Sequence, residues 1–188
     1  MPNRNVTRRA ASALLFPLLF LTGCSSALGL GPRLAPEDEP YLFDRWDPDF
    51  ELAKPCEDLA EDQLDNLGLS RMESKTNVKN ADGMDACSFY DEEFGLVMVS
   101  GSAVKLRRLS ENGVPLQFEL SQEKQPALAY SKYGDVGCGV AAETDRGTVE
   151  VYFESEYSSG KTPMEDCSQA DKYFDLLIGE KLNEYRTN

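Results

Sequence analysis

The sequence predicts an α+β domain in which a single antiparallel β-sheet is packed by a short N-terminal helix and a longer C-terminal helix, with two disulfides. Three observations support this prediction. An amphipathic segment begins near Glu57, β-favouring segments follow one another between residues 87 and 155, and apolar residues recur at helical spacing from Cys167 onward. Helices that flank a run of strands are typical of α+β domains.

The first predicted helix lies in the segment EDLAEDQLDNLGL, residues 57–69. Ala60, Leu64 and Leu67 recur at positions i, i+4 and i+7, which would place them on one face of a helix. Acidic residues occupy its first turn and Gly68 is positioned to end it. We expect about three helical turns here, followed by a polar loop over residues 70–86.

Six β-favouring segments come next, and turns that contain glycine at residues 111–113, 133–135 and 145–147 separate several of them. Apolar side chains alternate along residues 96–99, as in a strand with one buried face. The last two segments, 136–143 and 148–155, predict a hairpin with a turn over residues 144–147. The six segments are CSFY, FGLVMVSGSAV, VPLQFEL, PALAYSK, VGCGVAAE and GTVEVYFES.

The chain closes with a predicted helix of about 18 residues that presents one apolar stripe. The stripe consists of Cys167, Ala170, Phe174, Leu177, Ile178, Leu182 and Tyr185.

The first 23 residues have the features of a secretion signal. Arg4, Arg8 and Arg9 precede the apolar run AASALLFPLLFL, and small residues follow it. The run is about a dozen residues long, whereas a helix that crosses a bilayer needs about 20. We therefore assign residues 1–23 to a signal peptide that is removed.

The sequence Leu21-Thr22-Gly23-Cys24 resembles the lipobox of bacterial lipoproteins, in which the cysteine is acylated and becomes the new N-terminus. The resemblance implies that Cys24 is a lipid anchor on the outer face of the cytoplasmic membrane. Two or more acyl chains suffice for stable anchoring. The alternative is an ordinary signal peptide in which Cys24 is incidental.

Four cysteines remain once Cys24 is assigned to the lipid, and an even number in an exported chain indicates two disulfides. Of the three possible connectivities, sequence order favours neighbours, Cys56 with Cys87 and Cys138 with Cys167. Each bridge would close a loop of about 30 residues, worth roughly 3 to 4 kcal/mol in the chain-entropy model. A zinc site is disfavoured because the chain has neither a C-x-x-C motif nor a histidine.

The formal charge of the chain is −14. The three arginines of the signal leave with it, so the mature chain carries three fewer positive charges, −17. Such a surface repels nucleic acid and anionic lipid headgroups. We therefore expect no nucleic-acid partner, and contact with the membrane through the lipid on Cys24 alone.

The mature chain divides into a lipidated cysteine with an acidic tether, residues 24–50, and a single domain, residues 51–188. Residues 25–40 are rich in Gly, Pro, Ser and acid, as in a linker. The stretch after them is too aromatic for a plain linker, so we expect part of it to lie against the domain. Its aromatic residues are Tyr41, Phe43, Trp46 and Phe50.

The order of these features resembles the domain-of-unknown-function 3558 family of actinobacterial exported lipoproteins, from about residue 55 to 182. The motifs that carry the resemblance are Pro55-Cys56-Glu57, Cys87-Ser88-Phe89, Cys138 and Asp166-Cys167. The resemblance implies the fold, the anchor and the neighbour pairing of cysteines, and supplies no catalytic residues. Where the family commonly has a threonine N-cap this chain has Ala60, so Asp58 must cap the helix or the cap is weaker.

Catalytic patterns are weak in this sequence. The absence of histidine excludes Ser-His-Asp and Cys-His catalysis. Residues 121–124 and 158–161 fit S-x-x-K, but no S-D-N accompanies them and Pro163 interrupts a K-T-G match. The sequence therefore predicts no enzyme and no cofactor.

Two groups of residues remain as candidate binding sites. An acidic cluster could hold calcium through its oxygens, or could simply be solvated; its members are Asp44, Asp47, Asp49 and Glu51. Aromatic side chains could line a groove for a glycan or a lipid, or could be core residues; they are Trp46, Tyr130, Tyr133, Tyr152, Phe153 and Tyr157.

These observations favour a non-enzymatic envelope lipoprotein that binds a protein, glycan or lipid partner. The alternative is an accessory envelope enzyme that acts on glycan or lipid through carboxylates. A purely structural component of the envelope is the third hypothesis. An enzyme should show a pocket with convergent polar groups, whereas a binding module should show an exposed apolar or aromatic patch.

The anchor assignment predicts the behaviour of Cys24→Ala. This variant should no longer be acylated or partition with membranes, because the thiol that carries the lipid is gone. Phase separation in detergent, with mass spectrometry of the N-terminus, measures both properties. A variant that still enters the detergent phase would contradict the anchor.

Overall fold

A computed structural model describes residues 34–72, 83–91, 95–132, 136–155 and 162–187. The signal peptide, the lipobox with Cys24, Tyr133, Tyr157 and the second S-x-x-K motif lie outside the described residues. Among the described residues, no helix is both long enough and apolar enough to span a membrane.

The described residues form one seven-stranded antiparallel sheet and five α-helices, in agreement with the predicted fold class. The strand order is β1-β2-β3-β7-β6-β5-β4. The strands are β1 Leu69–Arg71, β2 Met84–Asp91, β3 Gly95–Ser102, β4 Val114–Pro115, β5 Ala127–Ser131, β6 Cys138–Thr144 and β7 Gly147–Ser155. The helices are α1 Pro55–Asp58, α2 Glu61–Asn66, α3 Leu106–Asn112, α4 Pro163–Phe174 and α5 Leu182–Tyr185.

The first predicted helix is broken into α1 and α2, which corrects the three-turn prediction. Leu59 and Ala60 are extended between them, with ψ of 121° and 142°. Leu59 and Leu64 are both buried, while Ala60 is exposed. In one continuous helix, residues five apart point about 140° away from each other. The break therefore lets both leucines enter the core.

The ends of these helices differ in how well they were predicted. Neither α1 nor α2 has a side-chain cap at its N-terminus, so of the two predicted alternatives the weaker cap is the one observed. Asp58 instead accepts a hydrogen bond from the Tyr185 hydroxyl at 2.7 Å. Gly68 has φ of +68° just after α2, a left-handed conformation that ends helices, as predicted.

The predicted loop over residues 70–86 is partly wrong. It contains most of β1 and the start of β2, while residues 73–82 lie outside the described part of the chain. In β1 only Leu69 is buried, and Ser70 and Arg71 are exposed. Three residues with one apolar member carry too little alternation to predict a strand.

The central strands follow the predicted alternation. Val97 and Val99 are fully buried on one face of β3, and the alternate residues, on the other face, are half-buried. Strands β6 and β7 form the predicted hairpin, and Thr144 pairs with Gly147 across the turn. Gly147 has φ of +103°, which a residue with a β-carbon rarely adopts.

The region between β3 and β5 differs from its prediction. Helix α3 was not predicted, because none of its residues is buried and it therefore has no apolar stripe. The predicted strand VPLQFEL is reduced to the two residues of β4. Beyond β4, the backbone nitrogen of Leu116 still donates to the carbonyl of Ala129 at 2.9 Å, and the side chains of Leu116 and Phe118 pack against the core.

The C-terminal region is helical with the predicted apolar stripe, but the predicted single helix of about 18 residues is divided into α4, a π-helical segment and α5. A capping box between Thr162 and Glu165 begins α4, which satisfies two backbone donors at once. A π-helical segment, Asp175–Gly179, connects α4 toward α5. All seven residues of the predicted apolar stripe are buried, and α4 lies against β6 and β7.

Two disulfides each join a helix to a strand, in the predicted neighbour pairing. Cys56 of α1 bonds to Cys87 of β2 with a Cα–Cα distance of 5.9 Å. Cys138 of β6 bonds to Cys167 of α4 with a Cα–Cα distance of 4.9 Å. Cys138 and Cys167 are 0% exposed, whereas Cys56 and Cys87 are only partly buried.

The aromatic segment before α1 lies in part against the domain, as expected. Leu42 forms an isolated β-bridge with Val104. The backbone nitrogen of Phe43 donates to the carbonyl of Ala103 at 2.7 Å. Phe43 and Phe50 stack with their ring centroids 5.6 Å apart.

The difference in burial predicts the order in which the disulfides are reduced. Under native conditions, dithiothreitol should open Cys56–Cys87 before Cys138–Cys167. The two bridges have similar sequence separations of 31 and 29 residues, so loop entropy alone would not separate them. Access of the attacking thiolate to the sulfur atoms differs between the two bridges and would separate them.

Timed alkylation followed by peptide mapping measures this order. In the control variant with both Cys56→Ala and Cys87→Ala, Cys138–Cys167 should stay oxidised under the same conditions. Reduction of the buried bridge first, or of both bridges together, would contradict the prediction.

Candidate functional site

A cleft of about 460 Å³ lies between the N-terminal segment and the end of β3. We call it the Trp46 cleft. Its lining is mostly apolar and includes two charged side chains, Asp38 and Arg45. The lining residues are Leu34, Ala35, Asp38, Leu42, Phe43, Arg45, Trp46, Gly83, Ala103 and Val104.

Backbone hydrogen bonds hold the floor of the Trp46 cleft. The nitrogen of Ala103 donates to the carbonyl of Gly83 at 2.9 Å, and its carbonyl accepts from the nitrogen of Phe43. Gly83 has φ of +87°, and a β-carbon there would lie 3.4 Å from Cδ of Arg45. Glycine is favoured here by the left-handed backbone conformation, whereas a β-carbon at 3.4 Å would be in ordinary contact with Arg45.

Trp46 borders this cleft and is 42% exposed. Its backbone nitrogen donates to Oδ1 of Asp44 at 3.0 Å, and the guanidinium carbon of Arg45 lies 4.2 Å from the centroid of its ring. Arginine over an indole face is a favourable cation–π contact. These contacts hold a large aromatic ring in place at the opening, and Trp46 is the only tryptophan in the chain.

The dimensions and chemistry of the cleft suit an apolar ligand. Sites that enclose small molecules typically measure about 300 to 1,000 Å³ and are mostly apolar with a few polar groups. The Trp46 cleft falls within that range. Its described lining lacks the several converging polar groups that a site for a sugar or a reacting centre would offer.

The predicted acidic cluster is not gathered into a metal site. Asp44 and Asp47 accept local backbone hydrogen bonds, from Trp46 and Asp49 respectively. Glu51 pairs with Arg146 at 3.1 Å. Within the described ranges, no group of three or more Cys, Asp or Glu side chains is arranged to hold a metal ion.

Three other predicted aromatics are buried. Phe153 lies in the core, where its ring stacks with that of Tyr173 at a centroid distance of 6.0 Å. Tyr152 lies on the opposite face of β7 and donates its hydroxyl to the carbonyl of Val136 at 3.1 Å. Tyr130 is also buried, so these three do not form an exposed aromatic groove.

The face of the sheet away from α4 carries a second, smaller pocket of about 130 Å³, which we call the outer groove. Its side walls come from β2, β3 and β7, with Lys132 just after β5. Glu150 lies in it and is only 8% exposed. The lining residues are Met84, Ala86, Cys87, Ser88, Met98, Val99, Ser100, Lys132, Glu150 and Tyr152.

Glu150 is held by a tyrosine from across the sheet. Tyr130 of β5 donates its hydroxyl to Oε1 of Glu150 of β7 at 2.7 Å. Gly139 lies on the strand between them, and a β-carbon there would lie 2.7 Å from Cε1 of Tyr130. Glycine therefore lets the tyrosine ring cross β6.

Sequence reasoning missed the buried position of Glu150. In an alternating strand, a glutamate between Val149 and Val151 is predicted to face solvent. The only local signal is Gly139, because a glycine inside a strand can mark a close approach. That signal does not indicate which side chain approaches.

The first S-x-x-K motif is structural. Lys124 is 3% exposed and pairs with Asp171 at 2.8 Å and with Asp175 at 2.7 Å. Burial by itself would lower the pKa of Lys124, but hydrogen bonds and charge from the two aspartates outweigh it and raise that pKa above 10.5. A lysine held in its charged form does not act as the base of a Ser–Lys pair.

Comparison with known proteins gives one match. A family model described as "Protein of unknown function (DUF3558)" matches residues 19–180. Neither the search of curated proteins nor the search of solved structures finds a match.

Two buried side chains predict how stability depends on alkaline pH. Burial, with a hydrogen bond to Asp58, raises the pKa of Tyr185 above its ordinary value of 10.0, and the pKa of Lys124 is also raised. The folded state therefore holds both protons more tightly than the unfolded chain does. Their stabilisation is complete below about pH 10 and is lost as pH rises toward the folded pKa values.

Thermal midpoints between pH 8 and pH 11 measure this effect. The midpoint should fall steeply above pH 10, and Tyr185→Phe should reduce the slope. Tyr90→Phe, which changes an exposed tyrosine, serves as the matched control and should leave the slope unchanged. Equal slopes for all three proteins would contradict the assignment.

Proposed function

Because the chain belongs to the DUF3558 family of proteins of unknown function, we propose its function from its own residues. We infer that it is a non-enzymatic binding module of the cell envelope, anchored through a lipid on Cys24 at the outer face of the cytoplasmic membrane. The observation that carries the binding role is the apolar Trp46 cleft of about 460 Å³.

The anchor places the cleft near the membrane. The lipobox-like sequence ends at Cys24, and the family match begins at residue 19 and so includes it. An extended chain from Cys24 to Leu34 reaches at most about 35 Å. Leu34 lines the Trp46 cleft, so an acylated Cys24 would keep the cleft within that distance of the bilayer surface.

An acyl chain is the ligand that this cleft suits best. Each methylene moved from water into an apolar site contributes about 0.8 kcal/mol, so about eight methylenes offer roughly 6 kcal/mol before the cost of association. A glycan would need several hydrogen-bonding partners for its hydroxyls, and the described lining has only Asp38 and Arg45 as charged side chains. Lipid is also the apolar material nearest to a membrane anchor.

At the Trp46 cleft and the outer groove, binding is better supported than hydrolysis by a pair of carboxylates. Hydrolysis of a glycosidic bond by carboxylates needs two of them, about 5 to 9.5 Å apart. The described lining of the Trp46 cleft has one carboxylate, Asp38, and that of the outer groove has one, Glu150. A binding module needs no such pair of carboxylates.

Fluorescence of Trp46 tests the ligand class. Because Trp46 is the only tryptophan, its quenching reports on this cleft alone. Brominated dodecyl maltoside, below its micelle concentration, should quench the emission saturably, since the bromine must approach the ring. Ala103→Met adds a side chain on the floor of the cleft and should weaken binding at least tenfold.

The matched control is Ala86→Met, which adds the same side chain on an exposed position of β2 and should leave quenching unchanged. Thermal midpoints identify variants that remain folded. Absence of saturable quenching, or equal quenching in folded Ala103→Met, would refute the acyl-chain assignment.

A further inference from the structure

We propose that the outer groove is a docking site for one lysine side chain of a partner protein, whose ammonium group pairs with Glu150. The groove is separate from the Trp46 cleft, and the two sites share no lining residue. The inference depends on the burial of Glu150, on the walls of the groove and on its size.

The charge of Glu150 is incompletely compensated. Tyr130 donates to Oε1, and Nζ of Lys132 lies 3.9 Å from the same oxygen. Lys132 is exposed, and an exposed lysine at that distance forms a weak ion pair. In the described part of the chain, both groups that reach Glu150 reach Oε1. A carboxylate that is buried to this extent favours a second, closer cation.

The remaining walls suit the stem of a lysine. Met84 is 38% exposed and Met98 is half-buried, one on each of two neighbouring strands. Methionine side chains adapt their shape to an apolar guest, and the four methylenes of lysine are such a guest when the ammonium group is paired. Ser100 pairs with Glu150 in the sheet register, so its hydroxyl offers an oxygen beside the carboxylate.

The size of the groove selects a side chain over a free small molecule. Its volume of about 130 Å³ lies well below the roughly 300 to 1,000 Å³ of sites that enclose small ligands. The sheet beside it gives a partner further surface, since Tyr90 of β2 is exposed on the same face. A protein segment can fill the groove with one residue and rest on this surface with the others.

Lysine fits better than arginine. Arginine prefers to bind both oxygens of a carboxylate with its planar fork. Tyr130 already donates to Oε1 of Glu150, so one arm of that fork would compete with the phenol. An ammonium group needs only one oxygen. The charge of the chain, −14, also attracts a partner with basic residues.

Methyl resonances of methionine test the proposal on the full chain. The probes are two heptapeptides, acetyl-Ala-Thr-Val-X-Val-Thr-Ala-amide, in which X is lysine or its neutral isostere norleucine. The lysine peptide should shift the Met84 and Met98 methyl signals saturably and bind at least tenfold more tightly than the norleucine peptide. Glu150→Gln should abolish that difference.

Glu154→Gln is the matched control, because it removes the same charge from the same strand and the same face of the sheet, and it should preserve the tenfold preference. Ser100→Leu fills the groove and leaves Glu150 in place, so it should also abolish binding even if Glu150→Gln folds poorly.

Three outcomes would overturn the proposal. Equal affinities of the two peptides would show that the charge plays no part. Equal losses in Glu150→Gln and Glu154→Gln would indicate diffuse attraction to an acidic surface. Binding of n-butylammonium as tight as that of the lysine peptide would indicate a site for free amines and not for a protein.

Discussion

The docking of the C-terminal helix on the sheet, fixed by the buried Cys138–Cys167 bridge, is the constraint on which the rest of the fold depends. The bridge joins the start of α4 to β6, and the apolar stripe beyond it is buried along its whole length. Each large side chain that is fully buried contributes roughly 1.5 to 3 kcal/mol. A helix attached at one end and buried along one face closes that side of the sheet.

Two buried carboxylates of β2 form further hydrogen bonds between the sheet and the helices. Asp91 of β2 accepts from the hydroxyl of Tyr173 in α4, and Oδ2 of Asp85 accepts from the backbone nitrogen of Cys56 at 2.9 Å. Hydrogen bonds to charged acceptors are stronger than neutral ones, and they offset the cost of burying these carboxylates. These two hydrogen bonds tie α4 and α1 to β2.

The two candidate sites have different chemistry because they arise in different ways. The Trp46 cleft forms where a turn-rich segment, bridged at Leu42 to Val104, meets the end of β3. Its lining is mostly apolar, and Arg45 lies at the ring of Trp46. The outer groove forms on the strands themselves, where Gly139 makes room for Tyr130 to reach Glu150. The first suits an apolar chain and the second suits a single cation, so one small domain can present two separate sites.

The sequence by itself predicted a helix, a run of strands and a final helix, together with the buried stripe of that last helix, and it favoured the neighbour pairing of cysteines, because periodicity and order along the chain carry that information. It failed where local pattern was weak: α3 has no buried residue, and the break at Leu59 serves packing and not helix propensity. Only the tertiary structure decided that Trp46 borders a cleft and that Glu150 is buried. Both depend on neighbours distant in sequence, Ala103 for the cleft and Tyr130 for the carboxylate, and local pattern does not encode such contacts.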